Sequence, residues 1–576
     1  MVKKRWNVGQ IALGPEEELR KELDCSGLLA RLLVRRGIEG LEEAQRFLHP
    51  KLTHLHDPFQ LPGMEAAARR IVRAVQTGEK VAIFGDYDVD GVSATCLMCE
   101  FFRFIDFPVT YRLPDRLREG YGLSATAVQE FAAAGVSLIV TVDNGSSAVE
   151  EVALAAKLGM DVVITDHHQP PDDLPRAVAL VNPWLPESVY PFKDLAGVGV
   201  AFKVVWALAQ RLSKQTKLSQ EFRDFLMQSL AFVALGTISD VVPLRDENRV
   251  LAKFGLVALE QARQPGLREL VALALDRSPE KHLDASHIGF RIGPRINAVG
   301  RLGKAEKAAR LLLTQDPQEA ASLAAELDRE NMRRREIEST IAEEARARVL
   351  ETVDLERERA IVLVGEGWHS GVIGIVASRL VEEFHRPTLL LSLEGDECKG
   401  SARSIPGVDI RGALSKCQEH LLGFGGHEMA AGCRADPAAL EQLRHALNAS
   451  IELAPSEMIP EVRVDELVCL EDLTPETLEE LARLAPHGQG NPSPSFGLEG
   501  VEVVGKPRVM GAGGKHLAFH VRQDRVVRRA VAFGKGTLFP SVSQTGARVS
   551  LLLSPRLSSW QGRSEVELHV RELEVV

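Results

Sequence analysis

Val81-Ala-Ile-Phe84 runs directly into Gly85-Asp86-Tyr87-Asp88-Val89-Asp90-Gly91. Four consecutive apolar residues, stopped by a glycine and a crowd of carboxylates, predict a fully buried strand that carries charge at its carboxyl end. Outward from this stretch the chain alternates. A helical pattern over 64–75 precedes it, and a second over 92–104 follows. Then come a strand over 109–113, a helix over 124–134, a strand over 137–142, a helix over 148–158, a strand over 161–165 and one more over 177–181. This alternation predicts an α/β fold, a parallel sheet covered by helices on both faces.

Two further strands of this set end as the first one does. Residues 138–142 lead into Asp143-Asn144-Gly145, and 162–165 into Asp166-His167-His168. The carboxyl ends of an open parallel sheet share one edge, where ligands bind, so these groups are expected in one crevice. Asp240, in Gly236-Thr-Ile-Ser-Asp240, also follows an apolar run and is a fourth candidate. Crowded carboxylates repel one another unless a cation lies between them. A mixed oxygen and imidazole set suits Mn²⁺ or Mg²⁺, with two ions sharing a bridging carboxylate.

Plainer readings cover parts of this pattern. Asp86-x-Asp88-x-Asp90-Gly91 opens like a calcium-binding loop, but its twelfth position is Leu97 and a strand precedes it. An aspartate at a strand end can cap a helix, which accounts for any one cluster but not for four. A phosphatase that forms an aspartyl-phosphate would place Asp-x-Asp after a strand, yet has no use for adjacent histidines.

The chain has 576 residues, enough for several structural units, and its 45% hydrophobic and 26% charged residues are those of a globular protein. Seven cysteines, an odd number, argue for a reducing compartment. Cys96-Leu-Met-Cys99 lies in an apolar stretch and lacks the second ligand pair that zinc would need. With no run of about 20 apolar residues, a soluble cytoplasmic protein without membrane contact is expected. The net charge of −11 is unevenly spread, since residues 501–576 hold twelve Lys and Arg against six Asp and Glu. No Gly-x₄-Gly-Lys-Ser/Thr pattern of an ATP-driven motor occurs.

Five regions are expected: an N-terminal helical cap over 1–60, the strand-and-helix domain over 61–314, a long connector helix over 315–355, a second αβ unit over 356–455 and a strand-rich region over 456–576. In the connector, Arg333-Arg334-Arg335 reads as a solvated face. The last region suits an OB-type barrel that follows a single strand by phosphate contact and stacking, or a protein docking surface.

Asp86-Tyr-Asp88-Val-Asp90-Gly, Val142-Asp143-Asn144-Gly, Asp166-His167-His168 and Ser239-Asp240, in this order, resemble the motifs of the DHH phosphoesterase superfamily. More closely, nearly the whole chain resembles the RecJ family of bacterial single-strand-specific DNA exonucleases. The resemblance implies a DHH catalytic domain over 61–314 and a substrate-binding DHHA1 domain over 356–455. It makes Asp88, Asp90, Asp143, His167 and Asp240 metal ligands, with Asp143 as the bridge. Asp86 and His168 are left as ligands, supporting residues or phosphate contacts.

Gly425-Gly426-His427-Glu428 fails as a zinc-protease motif because Ala431 stands where the second histidine belongs. Read as a glycine-rich turn opening a helix, it offers N–H groups and an imidazole to a phosphate, and it is similar to the GGH motif of DHHA1 domains. Ser401-Ala402-Arg403-Ser404 reads as a terminal-phosphate pocket, and Ser370-Gly371-Val-Ile-Gly374 resembles another family motif at a helix start. Arg116, and Arg295, Asn297 and Arg301 of the Gly293–Arg301 stretch, fall in segments similar to those that approach DNA; a surface salt bridge is the alternative for each arginine. Tyr121 could stack on a base or pack its turn.

The activity implied is a metal-dependent 5′-to-3′ exonuclease that hydrolyses single-stranded DNA to mononucleotides in repair and recombination, without a protein nucleophile. The partners implied are single-stranded DNA, a single-strand-binding protein and a RecQ-type helicase, with a monomeric enzyme. A DHH-family phosphatase or oligoribonuclease acting on short nucleotides, and a non-catalytic Cdc45-like replication scaffold, are the alternatives.

Overall fold

The computed structural model describes residues 5–9, 14–116, 119–213, 218–276, 282–302, 305–454, 457–560 and 563–576. Trp560-Gln-Gly-Arg563 reads in the sequence as a hairpin, and its two middle residues lie outside the described ones. The chain opens with a short strand, β1 (Arg5–Val8), and three helices, Pro15–Glu22, Gly27–Arg35 and Leu41–Leu48. The second of these starts at Ser26, whose hydroxyl accepts from the Leu29 N–H.

The central sheet comprises β2 (Val81–Phe84), β3 (Val109–Arg112), β4 (Leu138–Val142), β5 (Asp161–Thr165) and β6 (Ala179–Val181). All five strands are parallel, in the order β3-β2-β4-β5-β6. Alternate residues enter two cores. Val81, Ile83, Leu138, Val140 and Val142 face one, whereas Ala82, Phe84, Ile139 and Ile164 face the other. Burial on both faces is why these strands are continuous apolar runs. Because β3 lies on one side of β2 and β4 on the other, the order in which strands are added reverses between β2 and β4, the kind of point at which a parallel sheet forms a crevice at its strand ends.

Helices Gly197–Leu212, Gln220–Ser239 and Asp246–Glu260 pack against this sheet's first core, and Pro317–Thr352 follows as one helix of 36 residues. At 1.5 Å per residue it spans about 54 Å. Arg333 and Arg335 are exposed along it, but Arg334 is buried and paired with Glu338 at 2.6 Å, so the run is not wholly a solvated face.

The second αβ unit is a mixed sheet of β7 (Ile361–Glu366), β8 (Thr388–Glu394), β9 (Glu397–Arg403), β10 (Gly423–His427) and β11 (Ala430–Ala435), in the order β10-β11-β9-β8-β7. The glycine-rich stretch at 425–428 is therefore no helix opening. Gly425 and Gly426 lie on edge strand β10, opposite Gly432 and Ala431 of β11. Gly426 has φ 138°, and a Cβ there would meet the Ala430 carbonyl oxygen at 2.5 Å, so glycine is required by the tight hairpin.

The remaining strands are β12 (Glu461–Val464), β13 (Glu466–Leu467), β14 (Phe496–Met510), β15 (His516–Gln523), β16 (Val526–Ala532), β17 (Arg548–Trp560) and β18 (Arg563–Val575). Strands β14-β15-β16-β18-β17 close through a β14–β17 pairing into a five-stranded OB-like barrel. The N-terminal helices do not simply cap the central domain. Leu29, Leu32, Leu33 and Phe47 share one core with Phe496, Phe519 and Leu551 of the barrel, while β1 pairs in parallel with β12. Periodicity identifies a helix's apolar stripe but not the surface that buries it.

Candidate metal centre and strand-binding cleft

The groups expected in one crevice converge there. Asp86 and Asp88 follow β2, and the Asp88 carboxylate caps the helix Val89–Phe104 by accepting from the Asp90 and Gly91 N–H groups at 2.9 and 3.0 Å. Capping and membership of the cluster are thus compatible. Asp90, 1% exposed, accepts from Gly197 N–H at 2.6 Å and Val198 N–H at 2.9 Å. Its negative charge therefore meets the amino end of Gly197–Leu212.

Asp143 ends β4 with φ 63°, a left-handed conformation uncommon outside glycine. Asn144 holds this turn by donating to the Val142 carbonyl at 2.8 Å. Two glycines let neighbouring helices come close: a Cβ on Gly197 would lie 2.4 Å from Asp143 Oδ1, and one on Gly236 would lie 2.3 Å from Asp90 Oδ1. Asp240 arrives differently from the other three clusters, at the carboxyl end of helix Gln220–Ser239 rather than at a strand.

His167 Nε2 lies 3.2 Å from Asp143 Oδ1, 3.7 Å from Asp240 Oδ2 and 3.9 Å from Asp90 Oδ2. Among the described residues, three overlapping sets have ligand atoms within 4.8 Å of one another: Asp86, Asp88 and Asp143; Asp90, His167 and Asp240; and Asp143, His167 and His168. Asp86 Oδ1, Asp143 Oδ1 and His167 Nε2 are buried without a hydrogen-bond partner, despite the proximity of the last two. Buried polar atoms left unpaired are costly, and a divalent cation would satisfy all three. The oxygen-rich donor set with one or two imidazoles fits Mn²⁺ or Mg²⁺.

Electrostatics agree with that fit. Burial, together with neighbouring aspartates, raises the pKa values of Asp86, Asp90, Asp143 and Asp240. Burial and the nearby charge of His168 push His167 down to about 4, leaving a neutral imidazole with a free lone pair. Burial opposes protonation of His168 too, but its 2.8 Å hydrogen bond with Asp166 prevails and lifts it to about 9.

Asp166 supports this loop rather than joining the cluster. It accepts from the His167, His168 and Ser146 N–H groups as well as from His168 Nδ1. Burial works to raise it, yet the bond and charge of His168 and the Ser146 N–H hold it at about 2. Tyr121 hydroxyl donates to the Asp143 carbonyl at 3.2 Å and lies 3.1 Å from His168 Nδ1. The phenol therefore braces the histidine loop, although the ring is 49% exposed.

A cleft of about 690 Å³ opens between this domain and the second αβ unit, lined by Arg116, Ser370, Lys399, Gly425 and Arg434 among others. Arg403 donates to Ser401 Oγ at 3.1 Å. Arg301 donates to the Gly371 carbonyl at 3.2 Å and is lowered to about 10 by burial and by Arg116, Arg334 and Arg403. Cations that depress one another in this way favour an anion between them. Arg295, Arg301 and Arg403 do not themselves line the cleft, and Arg295 differs from the other two in being held by a carboxylate, Asp328, at 2.8 Å, as well as by the Arg291 carbonyl. Asn297 is half-buried on the same helix, while Gly426 and His427 are exposed on β10. The bracing roles of Asn144 and Asp166, and that of Tyr121 toward the histidine loop, were not legible in sequence.

The sequence patterns of three families match in the same order. The DHH family N-terminal domain matches residues 80–232, the DHHA1 domain 357–453 and the RecJ OB domain 464–572. A single-stranded-DNA-specific exonuclease RecJ of Bacillus subtilis is 38% identical over 577 residues, covering 100% of this chain and 71% of its own. This chain belongs to the RecJ family. The RecJ of Haemophilus influenzae is 35% identical, with 95% of this chain and 96% of its own covered. The crystal structure of Thermus thermophilus RecJ in complex with Mn²⁺ superposes with a TM-score of 0.83 at 31% identity, covering 99% of this chain and 79% of that one. The Mg²⁺ complex of that protein gives 0.77 at 30% identity, covering 99% and 78%. No described helix is long and apolar enough to cross a membrane.

Proposed function

We propose that this chain is a Mn²⁺- or Mg²⁺-dependent 5′-to-3′ exonuclease that degrades single-stranded DNA to mononucleotides by a two-metal reaction. The observation that carries this reading is the convergence of five carboxylates and His167, with three buried ligand atoms unpaired. Family membership supplies the substrate class, since the relatives are named single-stranded-DNA-specific exonucleases. Asp86, Asp88 and Asp143 would hold one cation, and Asp90, His167 and Asp240 the other, with Asp143 near both. Such ions supply a hydroxide nucleophile at neutral pH and stabilise charge on the attacking and leaving oxygens.

The chain's own groups do the rest. His168, held protonated by Asp166, presents a positive N–H to a phosphate oxygen. Arg116, Arg301 and Arg403, with Ser370 and Ser401, form a positive wall for the terminal phosphate, and a guanidinium can grip it through two N–H groups. The basic barrel is suited to follow the trailing strand by phosphate contact. Arg295, neutralised by Asp328, braces one domain against the long helix instead of contacting DNA.

Incubation of 5′-phosphorylated and 5′-hydroxyl single strands with Mn²⁺, Mg²⁺ or EDTA, with products sized, tests metal, polarity and end recognition together. Mononucleotides released from the 5′ end, faster for the phosphorylated strand and absent in EDTA, are expected. Cleavage unaffected by EDTA, or release from the 3′ end, contradicts the proposal.

A further inference from the structure

Asp240 is the one carboxylate of the cluster that the parallel sheet does not position, and the segment after it is held from outside its own domain. Val241, next in sequence, has φ 62° and is 62% exposed, a left-handed step that is strained for a β-branched residue. Three residues on, Leu244 N–H donates to the Gln489 carbonyl at 2.8 Å, and Arg245 Nε donates to the Gly490 carbonyl at 3.0 Å. Both acceptors belong to the loop that precedes barrel strand β14.

That loop is itself rigidly fixed. Asn491 donates to the Leu484 and Pro486 carbonyls at 2.7 and 2.9 Å and accepts from Arg36 Nε at 2.9 Å. Gly488 and Asn491 exchange backbone hydrogen bonds. Arg249, 1% exposed, spends all five N–H groups on backbone carbonyls: Phe47 in the N-terminal helices, and Arg483, Leu484, Ala485 and Pro486 in the loop. Its guanidinium also stacks 3.8 Å from the Phe47 ring centroid. A buried cation without a carboxylate partner is expensive, so this clasp joins three regions at a fixed geometry.

We propose that the 484–491 loop is a positioning element for Asp240, acting through residues 241–245, so that seating of the barrel and N-terminal helices sets the affinity of the metal cluster. The idea rests on the proposed metal-dependent function and adds to it a route by which the barrel governs the chemistry. Contact is tight enough for a methyl group to report on it. A Cβ on Gly490, where φ is +70°, would stand 3.1 Å from Pro243 Cβ, and one on Gly488 would stand 2.7 Å from Leu244 Cδ1. Neither glycine belongs to the cluster.

The test measures Mn²⁺ affinity by calorimetry, and amide hydrogen exchange over 241–245 in EDTA, for the full chain and for Gly490→Ala and Gly488→Ala. Supporting residues of metal sites alter affinity 10- to 100-fold when changed, so a loss of about tenfold, with faster exchange at 241–245, is expected from at least one variant. In an Asp240→Asn background the same substitution should cost nothing further, because its effect passes through Asp240. If both glycine variants fold, as judged by circular dichroism, and bind Mn²⁺ within about twofold of the parent, the proposal is overturned. A loss that adds fully to that of Asp240→Asn overturns it as well. Absence of Mn²⁺ binding by the parent chain would instead refute the metal-dependent function itself.

Discussion

A carboxylate such as Asp143 is held in an environment that opposes its charge, 2% exposed and facing Asp86, Asp88, Asp90 and Asp240. Such crowding is destabilising without a cation and is relieved by binding one. Asp143→Asn removes one repelling charge at nearly constant volume. In EDTA its thermal midpoint should exceed that of the parent by about 2 °C, corresponding to roughly 1 kcal/mol. Its Mn²⁺-dependent cleavage should fall to background. Differential scanning calorimetry and a strand-digestion assay read the two effects, and a midpoint that drops in EDTA would show that Asp143 is a structural residue. The sequence exposed this cluster because strand ends on one sheet edge need no side-chain detail to be brought together. It did not separate Arg301 and Arg403, which share a positive neighbourhood, from Arg295, which Asp328 neutralises. That distinction depends on a partner 33 positions away on another helix.

At the level of elements, the five central strands were legible almost residue by residue, since continuous apolar runs bounded by glycine and aspartate admit few other readings. The 425–428 stretch was not, because glycines that permit a tight hairpin also suit a phosphate-binding turn, and only the pairing with β11 decides. The loop over 484–491 carried no recognisable signal, although it holds the segment behind Asp240. This loop also contains a pH-sensitive group. His487 is pushed down to about 4 by burial and then by Arg36 and Arg249, and its Nδ1 is buried without a partner. The unfolded chain takes up a proton near pH 6.5, whereas the folded chain resists until about 4, so the stabilising contribution is complete above pH 6.5 and declines as pH falls through that window. The decline should be on the order of 1 kcal/mol per pH unit. His487→Gln should flatten the stability profile between pH 6.5 and 4 in denaturant titrations, and an unchanged slope would exclude His487 as its source.

Across the whole molecule, the sequence order of regions is not their order of contact. The N-terminal helices share a core with the barrel nearly 500 residues later, and no local pattern could announce that partner. Removing residues 1–48 should therefore expose barrel residues such as Phe496, Phe519 and Leu551 and leave the central sheet intact. Limited proteolysis should then cut first within 460–576; first cuts within 61–260 would contradict the shared core. The charge distribution follows the same division, with acidic groups gathered at the metal cluster and basic ones in the barrel and the arginine cleft. On the proposed function, the acidic cluster binds two divalent cations side by side. This binding is tested most directly by anomalous diffraction from crystals of the full chain grown with Mn²⁺. Two manganese peaks are expected, one between Asp86, Asp88 and Asp143 and the other between Asp90, His167 and Asp240. A map with no peak at these side chains, at saturating Mn²⁺, would contradict it.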